Sequence, residues 1–430
     1  MIEKFNNILA YLIIISITLI PPIKIDDNLP SIQFLDVLLP FITLSVFSNY
    51  KKIEFRKFYV FIIIFSFYIL LTILINNRTD QIRDYFEIFK MLKFLIVILF
   101  FSITPIKQFK NHVLLPIFSA VVLFNLLHYF NVFNFNEIIE LYYNGGIHIQ
   151  TFGLNSIGLP ATKRMMGAIG NPNNNAILFL FFSIIFYPKN EKNKKELLIF
   201  FIAIFMFFLC QSRTGFVALF VIILFGVIRS LIKNKAPILK RLKYKPLIII
   251  VAAYLFSYSF SANIIPTSTY ISKTSLNGEP IIGADGKYTA SYLNSIFNSS
   301  VYKSNSVQGR LTVWKRLWIM IKNKPFFGHA PYKEYFYNNK IYAESEYVLM
   351  TWRYGFIGLL LYLVLLGQLF FISFKNKTNK YGNVLMMFVI VISITALTNV
   401  PLSSRELLVF FGIVIGLFYN PNQSILNEKS

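Results

Sequence analysis

Apolar segments long enough to approach the thickness of a bilayer recur from one end of this chain to the other, and that recurrence leaves few folds open. They fall near Ile8–Ile20, Ile32–Phe47, Phe58–Ile75, Phe86–Ile103, Val113–Phe130 and Ala176–Tyr187. They continue near Leu197–Cys210, Phe216–Ile232, Leu247–Ile264, Phe356–Phe374, Val384–Thr398 and Leu407–Tyr419. A helix needs roughly 17–25 residues to cross hydrocarbon, so the shorter segments draw on their flanks. Lipid offers no hydrogen-bond partner, and backbone groups there must be satisfied within the segment. The expectation is an all-α polytopic membrane protein with about twelve transmembrane helices. Only 14% of the residues are charged and 56% are hydrophobic, whereas soluble domains carry about 25% charge. After the first segment come Pro21, Pro22 and Lys24 with no small-residue cleavage site, which reads as a retained helix and not a signal peptide.

Loop charge sets the orientation. Lysine and arginine crowd every second loop: Lys51, Lys52, Arg56 and Lys57; Lys107 and Lys110; Lys189, Lys192, Lys194 and Lys195; then Lys233 to Lys245; then Lys375, Lys377 and Lys380. The positive-inside rule places these loops and both termini in the cytoplasm. The same rule, with contact to anionic lipid, accounts for most of the net charge of +23 without nucleic acid. The cytoplasmic loops are short and carry no phosphate-cradling glycine motif, so no nucleotide powers the protein directly. A single cysteine, Cys210, excludes an internal disulfide. His112, His128, His148 and His329 have no metal-ligand spacing, and His128 and His329 read as packing or interface residues.

The organisation that follows has three parts. Residues 1–264 hold nine helices and an outward loop at 131–170, residues 265–345 form one large outward loop, and residues 346–430 hold three more helices. The first half of the large loop, Pro266 to Gln308, is polar with turns at Asn277-Gly278 and Asp285-Gly286, and suits either a lid or a solvated connector. The second half is patterned. Leu311, Trp314, Leu317, Trp318 and Ile321 recur at helical spacing with Lys315, Arg316 and Lys322 between them, the pattern of an amphipathic helix in the membrane interface. Asn323-Lys-Pro325 ends it and Gly328 permits a turn.

Arginines on the outward side run against the positive-inside bias. Arg164 precedes Gly170-Asn171-Pro172-Asn173, Arg213 sits in a tight turn, and Arg310 opens the interfacial helix. Glu344, Glu346 and Arg353 gather where the tenth span begins. Ionisable groups at the lipid edge require a partner or a polar cavity. One reading is a network that pins helices together; the other is a cationic pocket for a diphosphate, whose oxygens match the guanidinium fork.

Four local patterns, in this order, resemble the O-antigen polymerase and O-antigen ligase family of GT-C type membrane glycosyltransferases. They are Arg164 with Gly170-Asn-Pro-Asn173; Gln211-Ser-Arg213-Thr-Gly215; Gly309-Arg310 with Trp314, Lys324-Pro325 and Gly328; and Glu344-Ser-Glu346-Tyr347 leading to Arg353-Tyr-Gly355-Phe-Ile-Gly358. The resemblance implies an enzyme that joins oligosaccharide repeat units carried on undecaprenyl diphosphate, without a metal or other cofactor, at the outer face of a bacterial inner membrane. Membrane lipids are its surroundings, and a chain-length regulator and a flippase are candidate partners. It implies diphosphate contacts from Arg164, Arg213 and Arg310, with Arg353 and Asn171 as secondary candidates. Where the ligase branch carries a histidine, counting back from Gly355, this chain has Glu344. That departure favours the polymerase branch. Glu344, then Glu346, are the candidate bases for the acceptor hydroxyl. A ligase is the first alternative. A repeat-unit flippase is the second, although its functional charges belong near the midplane and not at the surface.

Overall fold

The computed structural model describes residues 2–23, 31–104, 106, 109–130, 132–135, 164–188, 190–233, 244–263, 305–338, 343–376, 379 and 381–421. Each of the twelve apolar segments forms a helix. The first five are α1 (Ile2–Thr18), α2 (Phe34–Ser48), α3 (Lys57–Ile75), α4 (Ile82–Ile103) and α5 (Leu115–Phe130), the last entered through a π-helical turn at Phe109–Leu114. Next come α6 (Pro172–Ile185), α7 (Lys194–Leu209), α8 (Arg213–Lys233) and α9 (Tyr244–Asn263). The amphipathic segment is α10 (Asn305–Asn323), followed by short α11 (Lys333–Asn338). The chain then runs through α12 (Glu346–Lys375), α13 (Gly382–Thr395) and α14 (Arg405–Tyr419). Among the described residues, three stretches, α3, Phe109–Phe130 and α12, are long and apolar enough by themselves to cross a membrane, and six shorter apolar helices accompany them. The expected lid at Pro266–Gln308 lies outside the described residues but for the opening residues of α10, as does most of the outward loop at 131–170.

The chain divides into two compact units. The first gathers residues 1–121, 214–228 and 310–430, and the second residues 122–213 and 229–309.

In the first unit α14 packs against α4. Two glycines four residues apart on α14 make this approach close. A Cβ on Gly412 would stand 3.0 Å from the Phe94 ring, and one on Gly416 would stand 2.6 Å from Phe101 Cβ and 2.7 Å from the Ile98 carbonyl. Small residues at this spacing let backbones meet where no hydrophobic effect drives helices together. Beyond the end of α14, Asn420 donates to the carbonyls of Phe101 and Thr104 at 2.9 and 2.7 Å, closing the C-terminal end of α4. Lys93, buried on α4, donates to Asp36 at 2.7 Å and to Gln33 at 3.1 Å, and Gln33 donates to Glu406 at 2.6 Å. One polar chain therefore ties α2, α4 and α14.

In the second unit α7 packs against α6 and α9. Phe205 meets Phe256 with ring centroids 5.3 Å apart, and Phe208 meets Tyr254 at 5.4 Å. These are aromatic pairs within favourable range.

The close α4–α14 contact makes a contrast measurable. Gly416→Ala should lower the unfolding free energy in detergent by roughly 1–3 kcal/mol, because backbone as well as side chain must move. Gly367→Ala on α12, where a Cβ meets nothing within 4 Å, should be neutral or stabilising by up to about 1 kcal/mol. Thermal unfolding of the two variants beside the parent protein checks both.

Candidate functional site at the broken helix

The start of α12 is organised by a break. Gly355 has φ +66° and Gly328 has φ +62°, the left-handed region that glycine enters without steric cost. A Cβ on Gly355 would lie 2.1 Å from the Phe326 carbonyl oxygen, and one on Gly328 would lie 2.5 Å from the Arg353 carbonyl. The two glycines thus let the loop after α10 press backbone to backbone on the broken helix. Groups freed by the break find partners in that loop: Phe356 N–H donates to Pro325 at 2.8 Å, and the Trp352 carbonyl accepts from His329 N–H at 3.0 Å. The Tyr68 hydroxyl of α3 reaches the Tyr354 carbonyl at 2.7 Å, and Asn76 accepts from Lys324 Nζ at 2.6 Å. The lysine-proline, Gly328 and Gly355 parts of the motifs are explained by this junction.

Helix α10 is held on it. Leu317 and Ile321 are buried against Ala343, Leu349 and Trp352. The indole N–H of Trp314 donates to the Ala343 carbonyl. Leu311, Trp318 and Ile319 remain exposed. The helix therefore packs on the start of α12 with one edge and leaves the other open. His329 packs against Trp352, with ring centroids 6.3 Å apart, and its Nε2 lies 2.9 Å from the Met320 carbonyl. Burial lowers its pKa, and the packing role expected for it is what the contacts describe.

Arg310 donates through Nε to Glu344, so these two residues meet as an ion pair at the mouth of this region. Glu344 has φ +45°. A non-glycine residue there costs on the order of 1–2 kcal/mol, and such residues concentrate at functional sites. Its side chain keeps 45% of its surface exposed. Glu346, two residues on, is 0% exposed. One of its oxygens accepts from the backbone N–H groups of Leu402 and Ser403 at 3.1 and 3.2 Å, and the other from the Ser403 hydroxyl at 2.7 Å. Of the two candidate carboxylates, Glu344 is the one a substrate can reach, while Glu346 anchors the loop before α14. Arg353 is buried, with Nη1 3.8 Å from Glu87 and its guanidinium 5.3 Å from the Phe336 ring centroid. It faces a buried cluster and not the surface.

Sequence reading did not single out the members of that cluster. Glu87 on α4 accepts from Lys333 on α11 and pairs with Lys90 at 2.7 Å. Asp84 pairs with Arg78 Nε at 2.7 Å and accepts the backbone N–H of Lys333 at 2.9 Å. Arg78 also covers the Tyr332 ring, 4.0 Å from its centroid. A signal was present: Asp84, Glu87, Lys90 and Lys93 place a charge at every third position of an apolar helix. Three residues turn a helix by about 300°, so the row drifts by about 60° per step, and Lys93 points about half a turn from Asp84. That drift separates the Glu87 cluster from the Lys93 chain described above.

The second unit holds the other two candidate arginines. Arg164 donates from Nε to the Cys210 carbonyl at 3.2 Å and from Nη2 to the Asn173 side chain at 2.8 Å. Cys210 closes the C-terminus of α7, where carbonyls lack helical partners and cations are favoured. Arg213 follows three residues later and starts α8. Asn171 accepts from the N–H groups of Asn173 and Asn174 at 2.9 and 3.2 Å and is the N-cap of α6, with Pro172 in the first turn. Asn175 donates to Asn125 at 2.8 Å, and both would collide with a Cβ on Gly167. Each residue of this motif has a defined local role, and Asn173 is the one that touches Arg164. The structure thus joins the Arg164 motif to the Arg213 turn in one unit, and Arg310 to Glu344 in the other.

Residues 198–363 match the model of a family described as O-antigen ligase. The resemblance to the O-antigen polymerase and ligase family is shown by that match. The matched stretch carries Arg213, Arg310, Glu344, Glu346, Arg353 and the Gly328–Gly355 junction, while Arg164 and Asn171 precede it. The family comprises membrane glycosyltransferase-like enzymes and covers both polymerases and ligases. A search of the curated proteins finds no match.

Lys333 gives the buried cluster a pH signature. Burial pulls its pKa from 10.5 down to about 8, against the upward pull of Glu87, and Arg353 and Lys90 add to the lowering. Between these two values the unfolded chain holds a proton that the folded chain has released, so stability attributable to this residue should rise with pH from about 8. In Lys333→Met that rise should be absent. Unfolding midpoints between pH 7 and 10 for the two proteins test it, and equal slopes would refute the assignment.

Proposed function

We propose that the protein is a polymerase of undecaprenyl diphosphate-linked oligosaccharide repeat units, making a surface polysaccharide such as O-antigen or capsule. The observation that carries the reading is the bond from Arg164 to the Cys210 carbonyl, which brings two outward arginines to one turn. Guanidinium forks fit diphosphate oxygens. The family match supports the reaction class. In this reading twelve helices cross a bacterial inner membrane, both termini are cytoplasmic, and the chemistry occurs on the outer face.

The step needs no acid at the leaving group, because that group departs as a diphosphate. We assign stabilisation of the charge that develops on it to arginine side chains, with Arg164, Arg213 and Arg310 as the candidates. The acceptor hydroxyl oxygen attacks the anomeric carbon of the growing chain while Glu344 takes its proton. The bond from that carbon to the diphosphate oxygen breaks, and its electron pair leaves with undecaprenyl diphosphate. Direct attack inverts the anomeric configuration. Glu346 and Arg353 hold the framework.

The ligase reading draws on the family description. Against it stands Glu344 at the place of the histidine noted above. Deletion separates the two: loss of a polymerase leaves single repeat units attached to their acceptor, and loss of a ligase leaves none.

Two substitutions test the chemistry. Glu344→Gln removes a base worth typically 10²–10⁴-fold, and at equal expression the polysaccharide ladder should collapse to short chains; an unchanged ladder would remove Glu344 as the base. Arg213→Lys keeps the charge and loses the fork, so transfer should fall at least about tenfold. Full activity in this variant would argue against bidentate recognition.

A further inference from the structure

The core of the first unit holds a cavity that the proposed reaction does not use. Its wall joins α3, α4, α12, α14 and the turn at Leu402, and the space open to the centre of a water molecule is about 30 Å³. One water needs roughly 10–15 Å³. Four polar side chains enter a wall that is otherwise apolar: Glu87 and Lys90 from α4, Tyr354 and Tyr362 from α12. Tyr354 directly precedes the break at Gly355, and Tyr362 follows it by about two turns.

Two of the four are short of partners. The tyrosines are 1% and 3% exposed, and neither hydroxyl has a hydrogen-bond partner among the described residues. Buried tyrosine hydroxyls usually have one, because the bond given up to water is otherwise lost. Tyr354 is held through its carbonyl, which accepts from Tyr68 at 2.7 Å, while its own hydroxyl is left over. Lys90 is buried as well, and its 2.7 Å pair with Glu87 uses one of the ammonium's three donors. Leu402, another wall residue, gives its N–H to Glu346 at 3.1 Å. The cavity thus borders the surroundings of both buried carboxylates, Glu87 and Glu346.

The wall decides the occupant. A cation meets Lys90 and an anion meets Glu87, so an ion of either sign finds a like charge there. An apolar group leaves both hydroxyls unsatisfied. Water donates two hydrogen bonds and accepts two, which matches an ammonium, a carboxylate and two hydroxyls. Buried waters typically make about three bonds to such groups. We infer that the cavity is a water site, where one ordered water joins Lys90 of α4 to the hydroxyls of Tyr354 and Tyr362 on either side of the break. The water ties both halves of α12 to one helix through side chains, as the Pro325–His329 loop ties them through backbone. The inference does not rest on the polymerase reading.

The test is a crystal structure of the full chain grown with bromide, together with the melting temperatures of Tyr354→Phe and Tyr362→Phe. Density for a water should stand within about 3.2 Å of at least two of the three groups, Lys90 Nζ and the two hydroxyls, without anomalous signal from bromide. Each phenylalanine keeps the ring and removes one partner of the water, so each should lower the melting temperature by about 1–3 °C. The double variant should lose less than the sum, because the two hydroxyls act through one molecule. Sign separates the alternatives: in a dry site, removing a hydroxyl relieves an unsatisfied group and raises the melting temperature. Higher melting temperatures, additive losses, a bromide peak or a cavity without density each overturn the inference. Should a variant fail to fold, the density in the parent protein decides.

Discussion

A broken helix must find new partners for the backbone groups it frees, and in hydrocarbon it must find them in protein. The break at Gly355 imposes that demand, and the loop from Pro325 to His329 meets it through Phe356 N–H and the Trp352 carbonyl. Much of the architecture around the start of α12 depends on this exchange. The loop can approach because Gly328 and Gly355 have no side chain where backbone meets backbone. Once it is seated, α10 is held with Leu317 and Ile321 inward. Arg310 and Glu344 are then presented at the surface as a pair.

Charge is handled in the same way. Asp84, Glu87 and Lys90 would be costly in an apolar helix without partners. Arg78, Lys333 and Arg353 supply those partners from three other segments. Removing one member of such a cluster leaves a buried charge uncompensated, which typically costs several kcal/mol. The cluster therefore fixes where α11 and the first turns of α12 can sit. It draws Arg353 inward, whereas Arg310 on α10 meets Glu344.

The helical class was legible in the sequence because apolar length is a local property, and every apolar segment is a helix in the structure. The amphipathic character of α10 was legible for the same reason, from the spacing of Leu311, Trp314, Trp318 and Ile321. Partnership was not. Glu344 and Glu346 look alike in the chain, yet one stands exposed at positive φ and the other is locked to Leu402 and Ser403, more than fifty residues away. Arg353 and Glu87 are more remote still in sequence. Asn171 and Asn173 sit in one motif, and only coordinates separate the helix cap from the residue that holds Arg164. The three-residue rhythm of charge on α4 was visible, but its meaning lay in which helices face each step.

The proposed reaction is glycosyl transfer to a lipid-linked acceptor. Arginines bound at a helix end and an accessible, strained carboxylate are what such a reaction asks of a protein that crosses the bilayer. The most direct measurement incubates the purified full-length protein, in vesicles, with undecaprenyl diphosphate-linked repeat units and follows both lipid-linked chain length and released undecaprenyl diphosphate. Lengthening chains, with one undecaprenyl diphosphate freed for every bond formed, is the predicted result. Units that cross the bilayer or pass to another acceptor, without any lengthening on the lipid carrier, would contradict it.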